Sequence, residues 1–113
     1  MRRMKLFAIL LSALSLAGSN AAGQSKNISL VVPFAPGGGH DSMARILSGP
    51  LSEALGQTVI VENKPGANGM VGADYTVRAK PDGMTILFAS PAEIVIAPTV
   101  YKTMRYDPFK DLV

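Results

Sequence analysis

The sequence predicts an α/β fold with a parallel β-α-β-α-β core, and three observations indicate this class. Three short apolar runs rich in β-branched residues lie at residues 28–34, 58–63 and 84–89. Their nearly continuous apolar character is typical of strands that are buried on both faces of a parallel sheet. Segments with helical potential separate the runs, so we expect parallel strands joined by right-handed crossovers.

The first helix is predicted over residues 41–55, because apolar residues recur there every three or four positions. Gly56 follows and suits the left-handed position at which many helices end. Gly49 and Pro50 lie inside this segment, and a proline in a helix interior removes a hydrogen bond at a cost of about 3 kcal/mol. We therefore expect a bend or two shorter helices. The residues that define the apolar face are Ala44, Leu47, Leu51 and Leu55.

The second half of the chain has weaker patterns. Residues 70–79 do not separate helix from strand by their periodicity, and we predict a helix because a crossover must connect the second and third strands. The "KPDG" segment at residues 80–83 is a turn signal. Residues 90–101 predict a short helix that a proline ends, and residues 106–111 predict a polar loop because Pro108 discourages regular structure.

The N-terminal segment has the three-part pattern of a secretory signal peptide. A cationic "MRRMK" precedes the apolar "LFAILLSALSLAG", and the small residues of "SNAAGQ" follow. The apolar run is shorter than the roughly 20 residues that a membrane span needs. We assign residues 1–22 to a signal peptide cleaved near residues 21–23, which predicts an exported protein. Arg2 and Arg3 also permit a twin-arginine signal, although the apolar core favours the general secretory route.

Charge and cysteine content exclude several classes of protein. The net charge is +3, but from Gln24 onward eight basic residues balance eight acidic ones. No basic stripe remains that could follow a phosphate backbone, so no nucleic-acid partner is expected. The chain has no cysteine, which excludes disulfides, thiolate metal sites and a lipid-bearing N-terminal cysteine.

Two glycine-rich loops carry the chemistry that the sequence predicts. In parallel sheets, ligands bind beyond the carboxyl ends of the strands, and both loops and Ser90 follow predicted strands directly. Glycines let a ligand approach the backbone closely, and the unpaired amides at a helix N-terminus favour anions. We expect Asp41 to cap the first helix by accepting hydrogen bonds from amides two or three residues on. A tight turn that binds nothing is the alternative for each loop. The candidate ligand-binding residues are Ala35, Pro36, Gly37, Gly38, Gly39, His40, Asp41, Gly66, Ala67, Asn68, Gly69 and Ser90.

The sequence lacks the residues that several other kinds of binding or catalytic site need. A phosphate-binding P-loop needs Gly-Lys-Ser/Thr, a dinucleotide fingerprint needs a third glycine where Ser42 stands, and the Gly-x-Ser-x-Gly elbow of hydrolases is absent. His40 is the only histidine, and with Asp41 alone it does not make a metal site. Its side chain either touches a ligand or is solvated. We predict no catalytic residue, no metal and no cofactor.

Three stretches resemble the extracytoplasmic solute receptors of tripartite tricarboxylate transporters, also called the Bug family. They are "VVPFAPGGGHDSMARIL", "LSEALGQTVIVENKPGANGMVGADYTVRAKPDGMTILFAS" and "YDPFKDLV". The resemblance runs from residue 28 to residue 113 and implies a periplasmic-binding-protein-like fold of the second type, in which two α/β lobes close on a ligand. Residues 23–113 would be the N-terminal part of the first lobe, and the second lobe would be absent.

The same resemblance implies a function. Family members bind small organic carboxylates, and the membrane components of the transporter are the implied partners. One ligand carboxylate is held by backbone amides and ordered waters from the loops that correspond to residues 35–41 and 65–69, with Ser90 near the third loop. The chain departs from the family at Gly49-Pro50 and in its length.

Two functional hypotheses follow, both without catalysis. In the first, the chain is a receptor fragment that binds a small carboxylate. In the second, it is a truncated or vestigial interaction protein that binds no solute and associates with itself or with another chain. An α/β enzyme is a remote third hypothesis, because the sequence offers no pair of nucleophile and base.

Overall fold

The computed structural model describes residues 26–112, and it confirms the predicted order of strands and helices. The signal-peptide prediction lies outside the described residues. A 3-10 turn (Ala67–Gly69) precedes the second helix, and a π-helical segment (Ala92–Ile96) runs into the third. The main elements are β1 (Ile28–Val32), α1 (Gly39–Leu55), β2 (Val59–Asn63), α2 (Met70–Arg78), β3 (Thr85–Leu87), α3 (Ala97–Val100) and α4 (Pro108–Asp111).

The three strands form one parallel sheet with the order β2-β1-β3. Ile28 is paired with Val59 on one side of β1, and Ser29 is paired with Thr85 on the other. The chain moves to one side of β1 for β2 and to the other side for β3, so right-handed crossovers place α1 and α2 on opposite faces. The boundary between β1 and β3 is therefore the switch point at which open α/β sheets bind ligands.

The core lies mainly between the sheet and α1. Ile28, Leu30 and Val32 point to this side from β1, and Ala44 of α1 is fully buried against them. On the other face, Gly72 of α2 lies very close to the end of β1. A Cβ atom at Gly72 would lie 2.6 Å from Cβ of Pro33. Only glycine therefore permits this approach of α2 to the sheet.

The helix α1 is one helix of 17 residues rather than two shorter ones. Pro50 has no N–H to donate, so the carbonyl of Ile46 loses its partner within the helix. Both Pro50 and Ile46 are exposed, and water can hydrate that carbonyl. Gly56 ends the helix in the left-handed conformation, with φ 62° and ψ 22°, as predicted.

The prediction of a polar loop at residues 106–111 is wrong, because Pro108–Asp111 forms the short helix α4. Pro108 occupies the first helical position, where its missing N–H costs nothing and its fixed φ favours the helix. The side chain of Asp107 accepts a hydrogen bond from the amide of Phe109 at 3.0 Å. Proline here starts a helix rather than preventing one.

Among residues 26–112, no helix combines the length and the apolar character that a membrane crossing requires.

Candidate functional site

The loop after β1 presents unpaired backbone amides at an exposed position. Gly37 adopts a positive φ of 83°, and Gly38 is the N-cap residue of α1. Within the described residues, the amides of Gly39, His40 and Asp41 have no hydrogen-bond acceptor. These are the first three amides of a 17-residue helix, where the dipole concentrates partial positive charge. The loop thus has the geometry of an anion-binding helix N-terminus.

Asp41 does not cap α1 in the predicted way. The helix begins at Gly39, so Asp41 is its third residue, and its carboxylate reaches backward instead of forward. Oδ2 accepts hydrogen bonds from the amide of Gly37 at 2.9 Å and from Nε of Arg45 at 3.0 Å. Only 4% of Asp41 is exposed. Its structural role is therefore to hold the glycine loop against the helix from behind.

Asn63 connects this loop to the end of β2. Its Nδ2 donates to Oδ1 of Asp41 at 2.9 Å and to the carbonyl of Phe34 at 3.1 Å. Neither Asn63 nor Arg45 is among the site residues predicted from the sequence. Two signals could have found them: an amide side chain ends a strand beside the loop, and an arginine stands four residues after an aspartate on a helix.

These hydrogen bonds strongly favour the ionised form of Asp41. The guanidinium of Arg45, the amide of Gly37 and the amide of Asn63 lower the pKa of Asp41 from 3.8 to about 2. In return, hydrogen bonding and charge from Asp41 raise the pKa of Arg45. The loop is thus fixed by a carboxylate that stays charged in all but strongly acidic solution.

We expect the Asp41 network to make stability depend on pH in the acid range. Because the pKa of Asp41 is lower in the folded chain than its ordinary value, the network stabilises the fold fully above that value, and the stabilisation is lost as the pH falls from 3.8 toward about 2. Asp41→Asn cannot titrate, so the difference in unfolding midpoint between wild type and variant should shrink over this window. Thermal melts between about pH 5 and about pH 2 measure it. A difference that stays constant across the window would contradict the assigned network.

The loop after β2 contains four successive residues with positive φ: Gly66, Ala67, Asn68 and Gly69. Such angles are uncommon for residues other than glycine, and they concentrate at functional sites. The amide of Gly69 donates to the carbonyl of Gly66 at 3.1 Å and is therefore occupied. The amides of Ala67 and Asn68 have no acceptor within residues 26–112. The amide of Gly66 likewise has no acceptor there, so this loop offers three amides, at Gly66, Ala67 and Asn68.

The loop after β3 is organised by a buried glutamate that the sequence analysis did not identify. The carboxylate of Glu93 accepts hydrogen bonds from the amide of Ser90 and from its hydroxyl, the latter at 2.6 Å. Glu93 is fully buried. The "SPAE" segment is the signal that could have found it, because serine followed three residues later by glutamate is a capping box, here with proline at the first helical position.

Glu93 also fixes two neighbouring segments. A Cβ atom at Gly69 would lie 2.8 Å from Oε2 of Glu93, so the second loop rests directly on this carboxylate. The hydroxyl of Tyr106 donates to the backbone carbonyl of Glu93 at 2.7 Å. Burial, with the charges of Glu93 and Asp74, raises the pKa of Tyr106 to about 12. The phenol therefore stays neutral and keeps its proton for this hydrogen bond.

His40 connects the first loop with the third. Its ring is stacked on Phe34, with 4.4 Å between the ring centroids, and it meets Phe88 edge to face at 6.4 Å. The side chain is half-buried, so it is partly packed rather than simply solvated. Contact with a ligand stays a prediction.

The predicted site residues gather at one edge of the sheet, but they differ in accessibility. Asn63 joins the second strand to the first loop, Gly69 joins the second loop to Glu93, and His40 joins the first loop to Phe88. Asp41 and Gly69 are buried and Ser90 and His40 are half-buried. The exposed members are Ala35, Pro36, Gly37, Gly38, Gly39, Gly66, Ala67 and Asn68.

Two grooves of the described residues lie largely outside this cluster. One, of about 550 Å³, runs beside β3 and includes Ile86, Pro108 and Leu112. The other, of about 390 Å³, lies between α2 and residues 103–106, and of the predicted site residues it includes Ala67 alone. Within residues 26–112, no three histidine, aspartate or glutamate side chains gather to hold a metal ion.

Comparison with known proteins gives the family. The family described as tripartite tricarboxylate transporter family receptor matches residues 43–113. The chain belongs to this receptor family. The resemblance carried by the three sequence stretches is thereby confirmed.

Curated relatives in Bordetella show the same affiliation. A UPF0065 protein of Bordetella bronchiseptica is 44% identical over 111 residues, which are 97% of this chain and 33% of the relative. Protein BugT of Bordetella pertussis is 39% identical over 90 residues, 79% of this chain and 28% of the relative. The chain thus spans about a third of the length of these members of the family.

Solved structures confirm the periplasmic-binding-protein-like fold. The periplasmic binding protein BugD superposes with a TM-score of 0.66 at 41% identity, covering 74% of this chain and 27% of BugD. MatC from Rhodopseudomonas palustris with bound malate superposes with a TM-score of 0.71 at 34% identity, covering 75% of this chain and 29% of MatC. A second R. palustris protein, solved with adipate, superposes with a TM-score of 0.64 at 34% identity, covering 77% of this chain and 29% of that protein. The family and BugD are described as receptor and binding protein, not as enzymes, which at this coarse level supports the prediction of a non-catalytic chain.

Proposed function

We propose that this chain is the N-terminal part of the first lobe of a periplasmic solute-binding receptor, and that its ligand is a small organic carboxylate. The observation that carries the proposal is that the amides of Gly39, His40 and Asp41, at the start of α1 beside an exposed glycine loop, have no acceptor in the part of the chain that the structure describes. A helix N-terminus with free amides and a favourable dipole is suited to a carboxylate.

The surrounding geometry supports a ligand rather than a simple turn. The Asp41 network holds the loop from behind, so the glycine backbone stays exposed while its supporting side chain is buried. Gly66, Ala67 and Asn68 add three amides from the neighbouring loop that have no acceptor among residues 26–112. The amides of Gly37 and Gly69 donate to protein oxygens and are left out of the proposed ligand set.

Known ligands of similar proteins support the chemical class. One structural neighbour holds malate and another was solved with adipate, both of which are dicarboxylates. We extend the proposal to the rest of the system: residues 1–22 act as the secretory signal peptide, residues 23–113 lie in the periplasm, and the membrane components of a tripartite tricarboxylate transporter are the partners.

Thermal unfolding of the whole chain with and without a diacid tests the proposal. A ligand that binds only the folded state stabilises it by about 2.7 kcal/mol at a hundred times its dissociation constant. Malate or adipate should therefore raise the unfolding midpoint by several degrees, and the corresponding uncharged diamides should not. Equal shifts with diacid and diamide, or no shift with either diacid, would contradict carboxylate binding.

Exposed apolar surface favours self-association as a second candidate function. Ile46 and Phe109 are each 73% exposed, and the groove beside β3 follows the open edge of the sheet. Unpaired strand edges and apolar patches are typical of association surfaces. Light scattering after size exclusion distinguishes the candidates: a monomer stabilised by diacids supports the receptor, and oligomers indifferent to diacids support association.

A further inference from the structure

The third loop contains a buried negative charge that has no cationic partner among residues 26–112. Glu93 is fully buried, and no lysine, arginine or histidine of the described residues forms an ion pair with it. Its carboxylate is held by the amide and the hydroxyl of Ser90 instead. A buried charge that is stabilised only by neutral donors still acts strongly on nearby groups, because the low dielectric of the protein interior screens it weakly.

This arrangement fixes the polarity of the Ser90 hydroxyl. A serine hydroxyl has one proton to donate and two lone pairs, whereas an ionised carboxylate only accepts. The proton of Ser90 goes to Oε2 of Glu93 at 2.6 Å, and one lone pair receives the amide of Ala92 at 3.2 Å. Ser90 can therefore offer only an acceptor to anything that approaches from the site.

Ser90 lies at the same edge of the sheet as the first loop. It follows β3, and the boundary between β1 and β3 is the switch point of the sheet. His40 of the first loop contacts Phe88, two residues before Ser90. A ligand whose carboxylate sits on the amides of Gly39 to Asp41 would place its other groups toward this corner.

We propose that Ser90, positioned by Glu93, selects a ligand group that donates a hydrogen bond. The inference rests on the proposed function and narrows the ligand class to carboxylic acids that carry a hydroxyl or an ammonium group. A second carboxylate at this corner would meet an acceptor and a buried negative charge. Glu93 is a positioning residue, since its carboxylate is out of reach of the ligand.

Three four-carbon acids test this selection on the whole chain by calorimetry. Succinate offers no donor, malate adds a hydroxyl and aspartate adds an ammonium group. At least one of the latter two should bind about tenfold more tightly than succinate, as one added hydrogen bond to a polar group implies. Tighter aspartate identifies an ammonium ligand, and tighter malate identifies a hydroxyl ligand.

Glu93→Gln is the decisive variant. Its amide oxygen can still accept from the amide of Ser90, while its amide nitrogen donates to the Ser90 hydroxyl and releases the serine proton for the ligand. In this variant the preference for malate or aspartate over succinate, measured as the ratio of their affinities, should fall about tenfold. A merely structural role for Glu93 would weaken all three acids together and leave the ratio unchanged.

Ser90→Ala provides a second variant. It removes the hydroxyl together with the hydrogen bond from the amide of Ala92, and it should abolish the preference, while thermal melts verify that the variant folds. Succinate binding as tightly as the other two acids to the wild-type chain would overturn the inference, as would affinity ratios that neither variant changes. Binding of all three acids without discrimination overturns this inference alone. Binding of none overturns the proposed function as well.

Discussion

Gly39→Pro should weaken carboxylate binding roughly tenfold to a hundredfold, because it removes one backbone donor from the anion. We expect the fold to tolerate this change. Gly39 is the first residue of α1, the position at which proline is favoured. Gly38 before it is extended, with φ −78° and ψ 174°, which is the conformation that a following proline requires. Calorimetry with malate measures the loss, and thermal melts verify the fold.

Gly39→Ala is the matched control for this experiment. It keeps the amide, and a Cβ atom at Gly39 would meet nothing within 4 Å. Its affinity for malate should equal that of the wild-type chain. If proline and alanine reduced affinity equally, the side chain rather than the N–H would be responsible, and the backbone account of the site would be wrong.

Gly72→Ala should destabilise the fold by about 1–3 kcal/mol, the usual cost of an extra methyl group in a packed interior. Its Cβ atom would lie 2.6 Å from Cβ and 2.8 Å from Cα of Pro33, and 3.0 Å from the carbonyl oxygen of Lys64. Pro33 is fully buried and part of the backbone at the end of β1, so it cannot move aside cheaply. The unfolding midpoint should fall by about 4–8 °C for each kcal/mol in a domain of this size.

Gly49→Ala is the control for Gly72→Ala, since both glycines are in helix interiors. A Cβ atom at Gly49 would meet nothing within 4 Å beyond its chain neighbours and its own helix. The ring of Pro50 opposes the helical conformation of a preceding residue that has a Cβ atom, and this offsets much of the roughly 0.5–1 kcal/mol by which alanine is favoured over glycine in a helix. The net change should therefore be small, and chemical denaturation of both variants measures the loss at Gly72 against this baseline. A change at Gly72 as small as that at Gly49 would mean that α2 does not approach Pro33 as closely as described.

The strands could be predicted because their signal is local. The run at residues 28–32 is apolar except for Ser29, and four of the five residues of β1 are buried between two neighbours. The regular part of β3 is only three residues long although six were predicted, and it pairs with β1 alone. The amide of Phe88 still donates to the carbonyl of Val31 beyond its end.

The role of Asp41 could not be predicted, because it depends on the exact residue at which α1 begins. The helix begins at Gly39, two residues before the predicted start. Glycine and aspartate are both favoured N-cap residues, so the sequence alone does not choose between Gly38 and Asp41. The choice follows from tertiary contacts: Asn63 at the end of β2 and Arg45 on α1 both hold the carboxylate. Asn63 is 22 residues from Asp41, and no local pattern records that pairing.

For Glu93 the situation is the opposite: the sequence contains a local pattern, but the structural consequence of that pattern cannot be inferred from it. The capping box at residues 90–93 could have been identified from the sequence. Its complete burial could not, because burial depends on Gly69 of the second loop and on Tyr106 beyond α3.

The most direct test of the central claim is a titration of the 15N-labelled whole chain with malate, followed through the backbone amide resonances. Anion binding by helix-start amides predicts the largest shifts at Gly39, His40 and Asp41, with further shifts at Ala67 and Asn68. The amides of Gly37 and Gly69, which donate to protein oxygens, should move less. Saturating malate that leaves these five amides unshifted, or that shifts only residues lining the groove beside β3, would contradict the account.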